Sequence, residues 1–360
     1  MRTAIQRDLL GLRKRLKSSP SDDETLKELW ISYMESGRLA DAVVVLQQFL
    51  ARRPTDHTAM LACGTCYRKL ELYEAAATEF ERAAKAEPAS AVARYNLGRV
   101  YDLMGRTDEA IRQHERAVEL APDDPEPYYR MGVTRARSSE LEEAASWYRR
   151  AIEADYACAK AHTNLGYALD AMGQTDEAIL EFKRAIEIDP DNADHHLNLG
   201  AVYGERGMLD EAIQEFRKAV EVDPTSAEAR FNLGAALISH GRDEDALPEL
   251  ELAVRHSPEN AEARYLLGVA LISKCRFARA LAELQRVASL RGETPALAYH
   301  IGSALASLDR LDDAERYLRR AATGDPDDPA VHYQLGLVLD RLGKNVEASD
   351  EYRLAGRATR

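Results

Sequence analysis

Apolar positions along this chain fall in short stretches that return at a fixed interval. Leu97, Leu165, Leu199, Leu233 and Leu267 each stand directly before a glycine, and paired aliphatics (Ile186 and Ile188, Val220 and Val222) close the same interval further on. Between them helix formers dominate and alternating Val, Ile and Thr are rare, so the pattern predicts helices and argues against a large sheet. Leu9, Leu12 and Leu16 make an apolar stripe near the start, which predicts a further helix over residues 3–18.

The interval is 34 residues. Glycine recurs at Gly64, Gly98, Gly132, Gly166, Gly200, Gly234, Gly268, Gly302 and Gly336. Alanine follows each by twelve residues, from Ala76 to Ala348, with an earlier member at Ala42, where Trp30 takes the glycine position. A third series runs through Pro54, Pro88, Pro122, Pro190, Pro224, Pro258 and Pro326, broken at Tyr156 and Gly292. Three interlocked series in one register define an internal repeat.

Each series has a steric reading. The leading glycine and the later alanine are expected to let two helix backbones approach closely from opposite sides, and bulky groups wedged at those contacts would contradict this. A second glycine (Gly105, Gly173, Gly207, Gly241, Gly343) stands where a helix end needs a left-handed residue. The acidic pairs after it (Asp108-Glu109, Asp176-Glu177, Asp210-Glu211) suit the first turn of a second helix, and the proline ends that helix. Each unit is then two short helices, too short to be stable alone and dependent on stacking.

These residues resemble the tetratricopeptide repeat family. The stretches RYNLGRVYDLMGRTDEAIRQHERAVELAPDD (94–124) and HLNLGAVYGERGMLDEAIQEFRKAVEVDPTS (196–226) look like consensus members. With the leading glycine at slot 8 of 34, units begin at Asp23, His57, Ala91, Pro125, Ala159, Ala193, Ala227, Ala261, Pro295 and Pro329. The expectation is ten repeats over 23–360 in one continuous array, preceded by a capping half-repeat helix over 1–22. The resemblance implies an all-α, right-handed solenoid superhelix whose first helices line an inner groove. Slots 2, 5, 6, 9, 12 and 13 tend to face that groove.

Slot 6 carries Asn96, Asn164, Asn198 and Asn232. This ladder resembles the peptide-binding array of O-linked N-acetylglucosamine transferase, although nothing in the chain resembles that enzyme's catalytic domain. A side-chain amide both donates and accepts, so it can pair with an extended peptide backbone; the plainer reading is a solvated asparagine. Arg130 interrupts the ladder, and Arg99, Arg137 and Lys160 occupy neighbouring groove slots. Asp194, Glu205, Glu228 and Glu262 make later slots acidic. An extended ligand, acidic opposite the basic stretch and basic beyond it, would fit this polarity, against the alternative of an ordinary solvated charge run. The family's carboxylate clamp for chaperone C-termini is matched only by Asn96 and Arg130; Leu61, Thr65 and Glu126 fill the other slots, which argues against that ligand.

Composition narrows the function further. With 48 Lys and Arg against 61 Asp and Glu, the net charge is −13, which points away from nucleic acid as a partner. No apolar run approaches the roughly 18 residues of a membrane span, and no separate stretch of signal-peptide length precedes the array. A cytoplasmic protein is expected. The basic N-terminal helix could instead contact a membrane surface or serve in targeting. In the last repeat the usually apolar slots 28 and 30 hold Gly356 and Ala358, so the array is expected to stop there and could self-associate through that end.

Candidate chemistry is sparse. Cys63-Gly64-Thr65-Cys66 has C-x-x-C spacing, but mid-helix, with Cys63 in a leucine slot, so core packing is the better reading. His195 and His196 are adjacent and diverge on a helix, so they do not form a metal pair, and His162, His196 and His332 share packing slot 4. No G-x-x-x-x-G-K-[ST], H-E-x-x-H or G-x-S-x-G pattern occurs. The residues predict a scaffold for protein or peptide binding, without enzyme activity, cofactor or metal; the alternative is a structural protein that assembles with itself.

Overall fold

The computed structural model describes residues 2–19 and 22–357, which hold twenty-one α-helices and no strand. Pro20 and Ala358, both used in reading the ends of the array, lie outside the described residues. The fold is an all-α solenoid of helix pairs. The chain divides into two compact units, Met1–Ile188 and Asp189–Arg360.

In the first unit, α1 (Arg2–Ser18) is followed by first helices α2 (Asp23–Glu35), α4 (His57–Lys69), α6 (Ala91–Leu103), α8 (Pro125–Arg137) and α10 (Ala159–Ala171). They alternate with second helices α3 (Leu39–Arg52), α5 (Tyr73–Ala86), α7 (Thr107–Leu120), α9 (Leu141–Ala154) and α11 (Thr175–Ile188). Leu9 of α1 is buried, and Leu12 and Leu16 pack with it against Leu26, Leu29, Trp30 and Tyr33, so α1 covers the open side of α2. Arg13 Nε donates to the Tyr33 hydroxyl at 2.6 Å across the same contact. The second unit repeats the plan: α12 (Ala193–Glu205) with α13 (Leu209–Val222), α14 (Ala227–Ser239) with α15 (Asp243–His256), α16 (Ala261–Ser273) with α17 (Phe277–Arg291), α18 (Pro295–Ser307) with α19 (Leu311–Gly324), and α20 (Pro329–Arg341) with α21 (Asn345–Arg357).

Local chemistry sets these boundaries. The residue before most first helices is a short polar one whose side chain accepts from the first turn, as Asp56 does from Ala59 N, Ser90 from Ala93 N and Asn260 from Glu262 N and Ala263 N. Cys158 stands at this position before α10 and makes no such bond. The turn inside each pair needs a left-handed residue, and Gly105, Gly173, Gly207, Gly241 and Gly343 have φ of 72–77° there.

The repeated alanines, from Ala42 to Ala348, are fully buried, as a close helix contact requires. The leading glycines behave differently from the expectation of backbone meeting backbone. A Cβ on Gly64, Gly132, Gly166 or Gly200 would fall 2.5–2.8 Å from the ring sixteen residues later, Phe80, Tyr148, Phe182 or Phe216. His114 fills the same place on Gly98, Leu250 on Gly234, and Tyr352 on Gly336. The glycine is therefore a socket for a bulky side chain of the second helix. At Gly268 and Gly302 a carbonyl of the facing alanine is also close, 3.6 and 3.3 Å from such a Cβ. The missing Cβ admits a knob, and the buried alanine beside it brings the helices near.

Slot 4 is also more than a packing position. His162, His196 and His332 each place Nδ1 2.6–2.7 Å from a glutamate nineteen residues later: Glu181, Glu215 and Glu351. Arg230–Glu249 and Arg264–Glu283 make the equivalent pairs at 2.5 Å. Tyr128 and Trp147 replace this pair with stacked rings. These links join the two helices of one repeat.

Candidate protein-interaction face

Within each unit every helix packs on the next, and successive first helices also touch: α4, α6, α8 and α10 in one unit, α12, α14, α16, α18 and α20 in the other. No comparable contact joins successive second helices among the described residues. The first helices are thus the tighter layer, and their outward slots form a row.

In the first unit that row is basic and aromatic. Arg99 lies over the Tyr95 ring at 5.5 Å and Arg130 over the Tyr129 ring at 5.4 Å. Lys160 also lies over Tyr129, at 4.9 Å. The Tyr95 hydroxyl donates to Glu126 at 2.8 Å, and Lys160 is ion-paired with the same glutamate. Glu126, of the wrong sign for a clamp, here orients the bed on which the arginines rest and neutralises Lys160. Burial and then the charge of Arg99 hold the Lys160 amine below its ordinary value, opposed by Asp124. Arg137, at the exposed end of α8, acts electrostatically on Tyr148.

A residue absent from the sequence reading joins this group. Arg68, in the last turn of α4, is half-buried; burial lowers its pKa first, and the charges of Arg99 and Arg130 lower it further. Arg68, Arg99 and Arg130 stand 31 residues apart, one helical turn less than the repeat, so they form a diagonal across α4, α6 and α8. That spacing was the available signal, hidden because it crosses slots 12, 9 and 6.

The asparagines are partly committed to their own helices. Asn96 Nδ2 donates to Val92 O at 2.9 Å, and Asn164 Nδ2 to Lys160 O at 2.9 Å and to the Tyr129 hydroxyl at 3.3 Å. The side-chain carbonyl is the part of each amide that these bonds leave available. In the second unit Asn198 and Asn232 are half-buried on α12 and α14, while Asp194, Glu205, Glu228 and Glu262 are exposed. Arg291 approaches Glu262 at 4.0 Å.

The other candidates carry packing roles. Cys63 and Cys66 are buried free thiols, and burial pushes them up to about 12 and about 11 respectively. His195 and His196 are both buried. Among the described residues no three His, Cys, Asp or Glu side chains are placed to hold a metal ion. No described helix is long and apolar enough to cross a membrane.

Models described as TPR repeat match residues 171–207 and 202–241, and models described as tetratricopeptide repeat match 29–91, 68–136, 244–299 and 295–338. No curated protein matches the chain. Among solved structures, PilF of Pseudomonas aeruginosa is 19% identical, with TM-score 0.50, over 57% of this chain and 94% of its own. MamA is 28% identical, with TM-score 0.41, over 45% of this chain and 94% of its own. YrrB, described as a TPR protein with an unusual peptide-binding site, is 24% identical, with TM-score 0.44, over 52% and 96%.

Proposed function

The chain belongs to the tetratricopeptide repeat family, and from that premise we propose that it is a non-catalytic scaffold binding an extended polypeptide along its first helices. Stacked repeats offer long faces instead of closed pockets, which suits extended ligands. The observation that carries the reading is the basic-aromatic row of α4, α6, α8 and α10. Arg99 and Arg130 lie over tyrosine rings and have no carboxylate partner among the described residues, in a chain of net charge −13.

Asn96 and Asn164 supply backbone-reading acceptors beside that row. The acidic slots Asp194, Glu205, Glu228 and Glu262 serve basic segments of a ligand on the second unit. Arg137 contributes at the rim, and Lys160 acts through its pair with Glu126. Affinity capture from native lysate tests this. Charge reversal at Arg99 and Arg130, or alanine at Asn96, Asn164, Asn198 and Asn232, should deplete a specific set of partners; unchanged recovery with both variants would refute the reading.

A further inference from the structure

We propose that Arg68, Arg99 and Arg130 form an oxyanion site for a doubly charged group of the bound polypeptide, either one phosphorylated side chain or two adjacent carboxylate side chains. The proposal deepens the scaffold reading and rests on it for the polypeptide part.

Three observations converge. The three guanidinium groups occupy one diagonal on neighbouring helices, and the charges of Arg99 and Arg130 both act on Arg68. None of them has a carboxylate partner among the described residues, whereas Arg106 and Arg242, on the turns between paired helices, pair with Glu109 and Asp245, and Arg135, in the last turn of α8, pairs with Glu140. The Nε atoms of Arg68 and Arg130 are buried and have no hydrogen-bond partner among the described residues. A buried donor left unpaired is destabilising, and so is a cluster of like charges out of bulk water. An oxyanion lying across the diagonal relieves both at once.

The charge of the ligand follows from the charge of the site. The acids on these helices are already engaged, Glu126 by Lys160 and the Tyr95 hydroxyl, and Asp102 by His114 and the Thr134 hydroxyl. Three cations therefore remain to be met from outside. A single carboxylate offers one negative charge and two oxygens, which leaves most of the repulsion in place. A phosphoryl group near neutral pH, or two carboxylates side by side, brings about two charges and enough acceptor oxygens for three guanidinium forks. Arg99 and Arg130 rest over the rings of Tyr95 and Tyr129, so less rotamer freedom is lost on binding than for a free arginine.

Fluorescence anisotropy with the full chain tests this, using one labelled peptide sequence in four forms: serine, phosphoserine, glutamate and a glutamate pair. The phosphoserine or the paired-glutamate form should bind at least about tenfold more tightly than the serine and single-glutamate forms. Arg99→Gln and Arg130→Gln should each remove that difference, while Lys85→Gln, which deletes an exposed cation on α5, should leave it. Inorganic phosphate at constant ionic strength should raise the melting temperature of the wild type and not of Arg99→Gln.

The melting temperature of the unliganded variants separates a ligand site from a packing role. Relief of repulsion should leave it equal or higher, whereas loss of a structural contact would lower it. Equal affinity for all four peptides, or unchanged discrimination in Arg99→Gln, would overturn the proposal. Loss of discrimination in Arg99→Gln with full binding in Asn96→Ala/Asn164→Ala would keep the oxyanion site and defeat the extended-peptide reading. The reverse pattern would keep the groove and defeat the site.

Discussion

Four within-pair turns place a side chain where the backbone is left-handed: Glu71, Ser139, Cys275 and Asp309, with φ of 57–64°. Such a residue carries strain that glycine avoids, against a smaller loss because glycine is freer when unfolded. Ser139→Gly and Cys275→Gly are therefore expected to raise stability by about 0.5–1 kcal/mol in urea melts. The opposite change, Gly105→Ala at φ +72°, should lower it. The socket glycines obey another constraint. On Gly200 an added methyl would lie 2.6 Å from the Phe216 ring, so Gly200→Ala should cost about 1–3 kcal/mol by overpacking. A neutral result in the same melts would remove the knob-and-socket account of these positions.

The paired helix is the next level, tied internally by the slot-4 links. For His332, burial pushes the imidazole pKa down, but the Glu351 carboxylate, the Pro326 carbonyl and Asp328 raise it more, so the net shift is upward. A group with a raised folded pKa contributes stability that is fully present below its unfolded value and lost as the pH climbs through the folded value. Hydrogen exchange in α20 and α21, corrected for intrinsic rates, should therefore lose protection as the pH rises above the ordinary imidazole value of about 6.5. His332→Gln should abolish that pH dependence. The helical periodicity, the 34-residue register and the left-handed glycines were readable from residue types alone, because each answers to local backbone geometry. The His–Glu links were not, since a nineteen-residue offset becomes a contact only once two helices fold back on each other. The partner of each socket glycine was missed for the same reason: small residues announce a close approach but not what approaches.

For the whole molecule, the legible part was the repeat and the sign of its faces; the site itself was legible only in fragments. Arg99 and Arg130 stood in groove slots, but Arg68 becomes their neighbour through the one-turn offset between repeats, and Lys160 loses its apparent freedom to Glu126. A self-assembling reading retains one observation in its favour: Tyr333, Leu337, Val346 and Leu354 of α20 and α21 are exposed, Val346 at 80%. Light scattering over a wide concentration range decides it. A constant mass would eliminate assembly, and growth with concentration that Val346→Glu suppresses would establish it.

Each knob finds its socket sixteen residues away, inside its own 34-residue unit. Excising residues 91–124 would therefore leave every remaining ring seated and every internal His–Glu link closed, and the shortened chain should still melt cooperatively. Yet it would bring α4 directly against α8 and erase the middle step of the arginine staircase. Architecture in this chain is modular to the single cassette, while recognition is a property of three cassettes in order.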